Sequence, residues 1–322
     1  MQLGFGCSRL GSASGSIGRR AAIRLVHEAI DEGVIVFDTA DAYGAGASER
    51  LLGAALRGRR AEVNIGTKGG YRFRPRSSVE QLARRSVHTV ARLAPRPAAP
   101  ASAPGSAGST YHSQDFSPAV LRQRVEASLR RLRTDYIDVY QLHGPHEVLP
   151  DAIDELSALV DDGKVRRFGV GAESVAEARA WAGVDGVEVV QLPFGVLDPE
   201  ALGDVFPITR ARGVEVWARG VFGGGLLTAH EARNPTLQRE PKLPLIAAVC
   251  KLSGELHIDV YELAMDFVRA YGEVSTVVVG ISSPQHLQRN LSLLRRPVPS
   301  DEIPNRVWAL FHDGSPVSFD GM

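Results

Sequence analysis

The chain has little cysteine, no excess charge of either sign and no long hydrophobic run. Its 322 residues include only two cysteines, Cys7 and Cys250, too few for a disulfide framework, so we expect a reducing, cytoplasmic setting. Lys plus Arg and Asp plus Glu both number 37, which removes the net positive field that attracts nucleic acid or anionic membranes. No apolar stretch approaches the roughly 20 residues of a membrane helix, and the N-terminus resembles no signal peptide. We therefore expect neither nucleic acid nor a membrane as a partner.

What the sequence does have is a regular alternation of short apolar segments and longer amphipathic ones. The apolar segments read QLGFG, VIVFD, VNIGTK, YIDVYQLH, KVRRFGVG, VEVVQLPF, VEVWARG and STVVVG. Most are continuous apolar runs, as expected of parallel strands covered on both faces, and helical spacing follows each. Eight strand–helix units predict a (β/α)8 TIM barrel of parallel strands, formed as a single domain by residues 1–322.

One segment departs from this alternation. Residues 91–116 are rich in Pro, Ala, Ser and Gly, and such a composition buries little apolar surface. The segment follows the third strand, so it belongs at the carboxyl end of the barrel, where active sites form in this fold. We predict a flexible loop there, and both a lid over substrate and an unstructured insertion remain open.

Four polar side chains follow three successive strands. Asp38 ends the second strand, Tyr43 lies in the loop beyond it, Lys68 ends the third and His143 ends the fourth. Taken singly, each has an ordinary interpretation as a turn, core, solvated or structural residue. Because parallel strands of a barrel end on one rim, the four together predict a shared catalytic site.

These four residue types suit proton donation to an oxygen. A phenol has a pKa near 10 and keeps its proton at pH 7, and a neighbouring ammonium lowers that pKa. The carboxylate can hold the lysine in place, and the imidazole can orient a carbonyl group. The set therefore predicts general acid catalysis of carbonyl reduction, with hydride coming from a nicotinamide cofactor.

Two other patterns offer competing interpretations. GVGAES at 169–174 follows a strand and precedes a helix, as a nucleotide-binding turn does, but it lacks the third glycine. His143 and His146 could be metal ligands, yet they lie in a loop with no Asp or Cys partners nearby. We expect no metal site, and we expect His146 to be a rim residue.

The order of several motifs along nearly the whole chain resembles the aldo-keto reductase superfamily. The motifs are FDTADAYG, SERLLGAAL, NIGTKGG, YIDVYQLH, GKVRRFGVG and VVVGISSPQHLQRNL. The resemblance implies a barrel that binds NADPH or NADH in an extended form. It also implies that Tyr43 is the proton donor, that Lys68 and Asp38 together tune the pKa of Tyr43, and that His143 orients the carbonyl group.

The resemblance also implies a set of cofactor contacts. Gln191 matches a residue that contacts the carboxamide, and Arg219 matches a position packed on the nicotinamide ring. The matches to the pyrophosphate loop are Gly220, Phe222 and Gly224. The matches to the adenosine segment are Gly280, Ile281, Ser282, Ser283, His286, Arg289 and Asn290.

The sequence departs from the family pattern at two places. Gly171 and Ala172 replace a Ser-Asn pair that holds the carboxamide, which leaves Gln191 with more of that role. Ser282 is neutral where many NADPH-using members have Arg or Lys, so Arg289 or His286 would have to contact the 2′-phosphate. The resemblance thus implies NADPH, with NADH as the alternative, and a small carbonyl or alcohol substrate. A cofactor-binding accessory barrel with little turnover is the alternative function, and the oligomeric state is left open.

Overall fold

The computed structural model describes residues 1–10, 17–73, 111–229, 242–297 and 302–311. Within them, eight parallel strands close into a barrel in the order β1-β10-β9-β8-β7-β6-β3-β2. Their bounds are β1 Gln2–Gly6, β2 Val36–Asp38, β3 Asn64–Gly69, β6 Ile137–His143, β7 Val165–Gly171, β8 Val187–Pro193, β9 Glu215–Arg219 and β10 Val274–Gly280. The predicted (β/α)8 TIM barrel is confirmed, with each of the eight predicted segments contributing one strand.

The α-helices of the described residues follow the barrel strands and surround them. They are α1 Arg19–Asp31, α2 Ala47–Ala55, α3 Pro118–Leu132, α4 Pro150–Asp161, α5 Val175–Ala182, α6 Ala201–Asp204, α7 Phe206–Arg212, α8 Leu226–Ala229, α9 Leu243–Glu255, α10 Val260–Arg269, α11 Pro284–Leu294 and α12 Glu302–Ala309. Short 3₁₀ turns occupy Arg60–Glu62 and Gly223–Gly225. None of these helices combines the length and the hydropathy that crossing a membrane requires.

A two-stranded antiparallel sheet, absent from the predicted pattern, lies beyond the third barrel strand. Its strands are β4 Tyr71–Phe73 and β5 Tyr111–Gln114. Residues 111–114 of the segment predicted as a flexible loop thus form a strand through pairing with β4, while the flexibility of the segment stays a prediction. The rest of that segment, up to residue 110, lies outside the described residues.

The inside of the barrel has an apolar layer with a polar layer above it. Val36, Val139, Val189, Trp217 and Val278 form a buried apolar cluster. Strand side chains alternate between faces, so the residue two positions later on each strand also points inward. Those residues are Asp38, Gln141, Gln191, Arg219 and Gly280. The apolar layer closes the barrel from below, and the polar layer forms the floor of its carboxyl end.

Gly169 in GVGAES is explained by strand packing. A Cβ atom at this position would lie 1.9 Å from the carbonyl oxygen of Val189 on the adjacent strand. The backbones of β7 and β8 cannot move apart without breaking the hydrogen bonds between the two strands. A glycine is therefore required at position 169 whether or not a nucleotide binds.

We predict that Gly169→Ala lowers the free energy of unfolding by about 3 kcal/mol through overpacking. Denaturant titration would measure this loss. Gly183→Ala is the matched control, since no atom lies within 4 Å of a Cβ there, and its stability should be nearly unchanged. Equal stability of the two variants would contradict the packing explanation.

Candidate active site

The carboxyl ends of β2, β3 and β6 bring the four predicted catalytic residues together. Lys68 donates hydrogen bonds to Asp38 and, at 3.2 Å, to the carbonyl oxygen of Thr39. Its Nζ lies 5.4 Å from the centre of the Tyr43 ring, and the Tyr43 and His143 ring centres are 6.0 Å apart with planes at 85°. Asp38 and Lys68 are buried, whereas Tyr43 and His143 are partly exposed. The phenol and imidazole therefore border the opening, and the ion pair lies beneath them.

The Lys68 ammonium is held by two acceptors, the Asp38 carboxylate and the carbonyl oxygen of Thr39. The centre of the Tyr43 ring lies 5.4 Å from Lys68 Nζ, so the ammonium charge acts on the phenol at short range. Burial disfavours its charged form, but the charge of Asp38 and the hydrogen bond to Asp38 outweigh this, with a contribution from Tyr43 once its phenol is ionised, and the pKa of Lys68 lies above its ordinary value. Lys68 is therefore a fixed cation at neutral pH.

Tyr43 and His143 are both neutral at pH 7. Burial raises the pKa of Tyr43, and the negative charge of Asp38 adds to this, although Lys68 and Arg219 act in the opposite direction. Burial, with the positive charges of Lys68 and Arg219, moves the pKa of His143 well below its ordinary value. The site therefore contains one phenol that carries its proton and one imidazole that does not compete with it as an acid.

Gln191 and Arg219 extend the same polar layer. Gln191 Nε2 donates to Asp38 Oδ1 at 2.9 Å. Arg219 Nη2 donates to the carbonyl oxygen of Ala172 at 2.7 Å and lies 3.8 Å from Glu173 Oε2. Both predicted nicotinamide contacts therefore lie beside the four predicted catalytic residues, on β8 and β9.

Three of the predicted pyrophosphate and adenosine residues contact Tyr261 on α10. Phe222 stacks on its ring with centres 3.6 Å apart, and the Arg289 guanidinium lies 4.1 Å from the ring centre. Tyr261 also donates its hydroxyl proton to Asn290 Oδ1 at 2.9 Å. The sequence pattern marked Tyr261 only as part of a helix, because nothing local distinguishes it from a packing residue.

The remaining predicted cofactor residues are glycines with open or left-handed backbone positions and residues at or near the start of α11. Gly220 and Gly224 have positive φ angles of 74° and 66°, and a Cβ at Gly220 or Gly280 would meet no atom within 4 Å. At the start of α11, Ser283 accepts a hydrogen bond from the His286 backbone N–H at 3.2 Å. Ser282 Oγ lies 3.3 Å from His286 Nδ1, and Ile281 is buried.

The region fits an extended dinucleotide. The buried Asn290 Nδ2 has no hydrogen-bond partner among the described residues, so a polar ligand group can satisfy it. Backbone N–H groups at the start of α11 are suited to phosphate. The open glycines at 220 and 280 leave room for a ligand to approach the backbone closely.

The small β4–β5 sheet also contributes residues to the opening. The Tyr71 and His143 ring centres are 4.8 Å apart. Gln114 Nε2 donates to the carbonyl oxygens of His143 and Gly144, at 3.0 and 2.6 Å. Sequence reasoning missed both residues because the sheet depends on pairing between segments about forty positions apart.

The residues behind the two competing interpretations, a metal site and a nucleotide-binding turn, have other contacts in the structure. His146 is exposed, and its Nδ1 lies 3.0 Å from Glu177 Oε1. In the part of the chain that the structure describes, no group of three or more His, Cys, Asp or Glu side chains is placed to hold a metal ion. Ser174 is the N-cap of α5 and accepts from the Glu177 backbone N–H at 3.2 Å.

A separate cavity of about 600 Å³ contains none of the residues predicted for the site. It lies between α7, the turn after α10, and α12, and its charged lining residues are Arg210 and Glu273, which form an ion pair.

Comparison with known proteins places this geometry in a family context. The family model described as "Aldo/keto reductase family" matches residues 2–306. L-galactose dehydrogenase of Arabidopsis thaliana is 28% identical over 90% of this chain and 83% of its own length. The uncharacterized oxidoreductase YqkF of Bacillus subtilis is 26% identical over 90% and 86%. An aldo-keto reductase from Bacillus halodurans, solved in its holo form, superposes with a TM-score of 0.75 at 27% identity, covering 99% of this chain and 94% of that one.

Proposed function

Since the chain belongs to the aldo/keto reductase family of oxidoreductases, we propose that it reduces an aldehyde or ketone with NADPH, or with NADH, and that Tyr43 is the general acid. The observation that carries the proposal is the Tyr43 phenol ring at a barrel opening, with its centre 5.4 Å from the ammonium of a buried Lys68–Asp38 pair. We keep the single-domain assignment of residues 1–322 and the reducing, cytoplasmic setting as parts of the same proposal.

When bound, a nicotinamide cofactor would supply the hydride that the carbonyl carbon accepts. Tyr43 donates its proton to the carbonyl oxygen as negative charge develops there. The fixed charge of Lys68 stabilises the phenolate that remains, and Asp38 keeps Lys68 in place. Neutral His143 orients the carbonyl oxygen by a hydrogen bond. Gln191 and Arg219 would border the nicotinamide, while Phe222, Arg289 and Asn290 would hold the far end of the dinucleotide.

The protonation state of Tyr43 sets the preferred direction. Because burial keeps its pKa above the ordinary value, the phenol is a proton donor at neutral pH and a base only at alkaline pH. Reduction is therefore favoured near pH 7, and oxidation of an alcohol or sugar rises as the pH increases. The relative named L-galactose dehydrogenase supports including sugars among the compounds to be tested.

The direct test is a screen of aldehydes, ketones and sugars with both nicotinamides, followed by cofactor absorbance. Turnover of a carbonyl compound with loss of NADPH absorbance supports the enzyme. Tight binding of the cofactor without turnover of any compound would instead support the accessory barrel.

We also predict that Arg289→Ala raises the Kd for NADPH about tenfold and that for NADH much less. Loss of a cation from the 2′-phosphate would account for about 1.4 kcal/mol. Tryptophan fluorescence quenching would measure both constants. Both arginines form ion pairs, Arg289 with Asp259 at 2.6 Å and Arg295 with Glu32 at 3.0 Å. Arg295→Ala, directly after the same helix, is therefore the control and should change neither constant. An equal rise in Kd for NADPH and NADH would mean that Arg289 does not contact the 2′-phosphate, and His286 would then be the candidate for that contact.

A further inference from the structure

The loop between β2 and α2, which carries Tyr43, is fixed by a buried carboxylate. Asp41 lies two residues before Tyr43 and is fully buried. Its Oδ2 accepts a hydrogen bond from Arg124 Nη1 of α3 at 2.7 Å, and its backbone N–H donates to the carbonyl oxygen of Lys68 at 3.0 Å. Asp41 therefore connects the loop to a surrounding helix and to the strand that carries Lys68.

A second buried carboxylate lies on the other side of the loop. Glu49, in the first turn of α2, is also fully buried. Its Oε1 accepts from the Thr67 hydroxyl at 2.8 Å, and its Oε2 is paired with Arg131 of α3. Thr67 directly precedes Lys68. The loop therefore lies between two ion pairs, both of which join it to α3.

The Asp41 pair is not saturated with hydrogen bonds. Asp41 Oδ1 and the Tyr140 hydroxyl are both buried without a partner among the described residues. Both side chains adjoin Gly69, where a Cβ would lie 2.0 Å from the Tyr140 hydroxyl and 3.4 Å from Asp41 Oδ2. A buried ion pair that leaves an oxygen unpaired is weak evidence for stabilisation, so its geometric effect on the loop is the better explanation.

We propose that Asp41 is a positioning residue, whose ionised carboxylate, paired with Arg124, holds the loop so that the Tyr43 hydroxyl stays against the Lys68 ammonium. This inference rests on the proposed function, in which Tyr43 is the proton donor. It adds a residue that touches neither substrate nor cofactor and acts only through the placement of the phenol.

The charge of Asp41 is lost under mildly acidic conditions. Burial raises its pKa from 3.8 to about 6, with Glu49 acting in the same direction and Arg124 and Arg131 acting against it; Tyr140 is the other titratable side chain beside it. Because the folded-state pKa is raised, ionisation of Asp41 costs folding free energy above about pH 6, and this cost disappears at lower pH. Protonation should therefore release the loop without unfolding the protein.

Asp41→Asn tests this by making the neutral form permanent. We expect kcat for carbonyl reduction at pH 7.5 to fall about tenfold or more, since small displacements of a catalytic group are costly. We also expect KM and the cofactor Kd to stay nearly constant, and the decline of kcat below pH 6 to disappear. Thermal unfolding should show no loss of stability. Arg124→Lys, which keeps the positive charge, should retain part of the activity.

Asp138→Asn is the matched control. Asp138 is also a buried carboxylate paired with an arginine, since its Oδ2 lies 2.6 Å from Arg60 Nη2, but it lies near the amino end of β6. Its kcat and pH profile should match those of the native protein. The proposal would be overturned by an equal loss of kcat in the two variants. It would also be overturned if kcat of Asp41→Asn still declined below pH 6 as it does in the native protein.

A second measurement does not depend on turnover. The absorbance difference between proteins with Tyr43 and with Phe at that position isolates the titration of this phenol at alkaline pH. In the Asp41→Asn background the Tyr43 titration should move to higher pH, because the phenol is farther from the Lys68 charge. An unchanged titration would overturn the positioning role even if no carbonyl substrate were found, whereas a shifted titration without turnover would overturn only the proposed enzyme activity.

Discussion

Replacing Tyr43 by Phe is expected to lower kcat for carbonyl reduction by about 10³-fold while the cofactor Kd changes less than about twofold. The hydroxyl is the proton donor of the proposed reaction, and its ring remains in the variant to pack near His143, 6.0 Å away. Because the lost interaction forms only in the transition state, kcat rather than KM should respond. Steady-state kinetics and fluorescence titration of NADPH would measure the two effects.

Tyr71→Phe is the control for this experiment. Tyr71 also places its ring edge-on to His143, at 4.8 Å, but it lies on β4 rather than in the loop after β2 that carries the proposed proton donor. We expect it to keep most of the native kcat. A Tyr43→Phe variant with native kcat would remove the phenol from the mechanism, and equal losses in both variants would assign the effect to the aromatic packing around His143.

Replacing Lys68 by Met is expected to lower both activity and stability. Asp38 would remain buried, at 4% exposure, and among the described side chains only Gln191 would still donate to it. An unpaired buried charge costs about 3–5 kcal/mol. The phenolate formed by proton donation would also lose its neighbouring cation, so kcat should fall about 10²–10³-fold. Denaturant unfolding and carbonyl reduction would measure the two losses separately.

The double variant Lys68→Met with Asp38→Asn separates the two effects. Removing the orphaned charge should restore most of the free energy of unfolding, since a neutral amide needs no counter-ion. It should not restore activity, because the cation beside Tyr43 is still missing. Recovery of kcat together with stability would mean that Lys68 acts only by supporting the fold.

These experiments depend on a division of tasks within the polar layer. Lys68 and Asp38 are buried and mutually paired, so their charges are fixed. Tyr43 and His143 are partly exposed and neutral, so they are available to a ligand. The apolar layer of Val36, Val139, Val189, Trp217 and Val278 below them excludes water from beneath the ion pair. A low local dielectric strengthens the effect of the Lys68 charge on the phenol.

Much of this arrangement could be predicted from the sequence because it follows from strand periodicity. Continuous apolar runs separated by helices specify parallel strands in a barrel, and the strands' carboxyl ends must then share a rim. That rule alone was enough to predict that Asp38, Lys68 and His143 would meet. Tyr43 could be added because its loop is short and begins on the same rim.

Only the tertiary structure decided the features that depend on pairing between distant segments. The β4–β5 sheet joins residues 71–73 to residues 111–114, and the Tyr261 contacts bring Phe222 next to Asn290. The burial of Asp41 against Arg124, and hence its raised pKa, arises from the packing of α3 on the Tyr43 loop. Local sequence encodes strand and helix periods, whereas desolvation and side-chain pairing depend on which surfaces the folded barrel brings together.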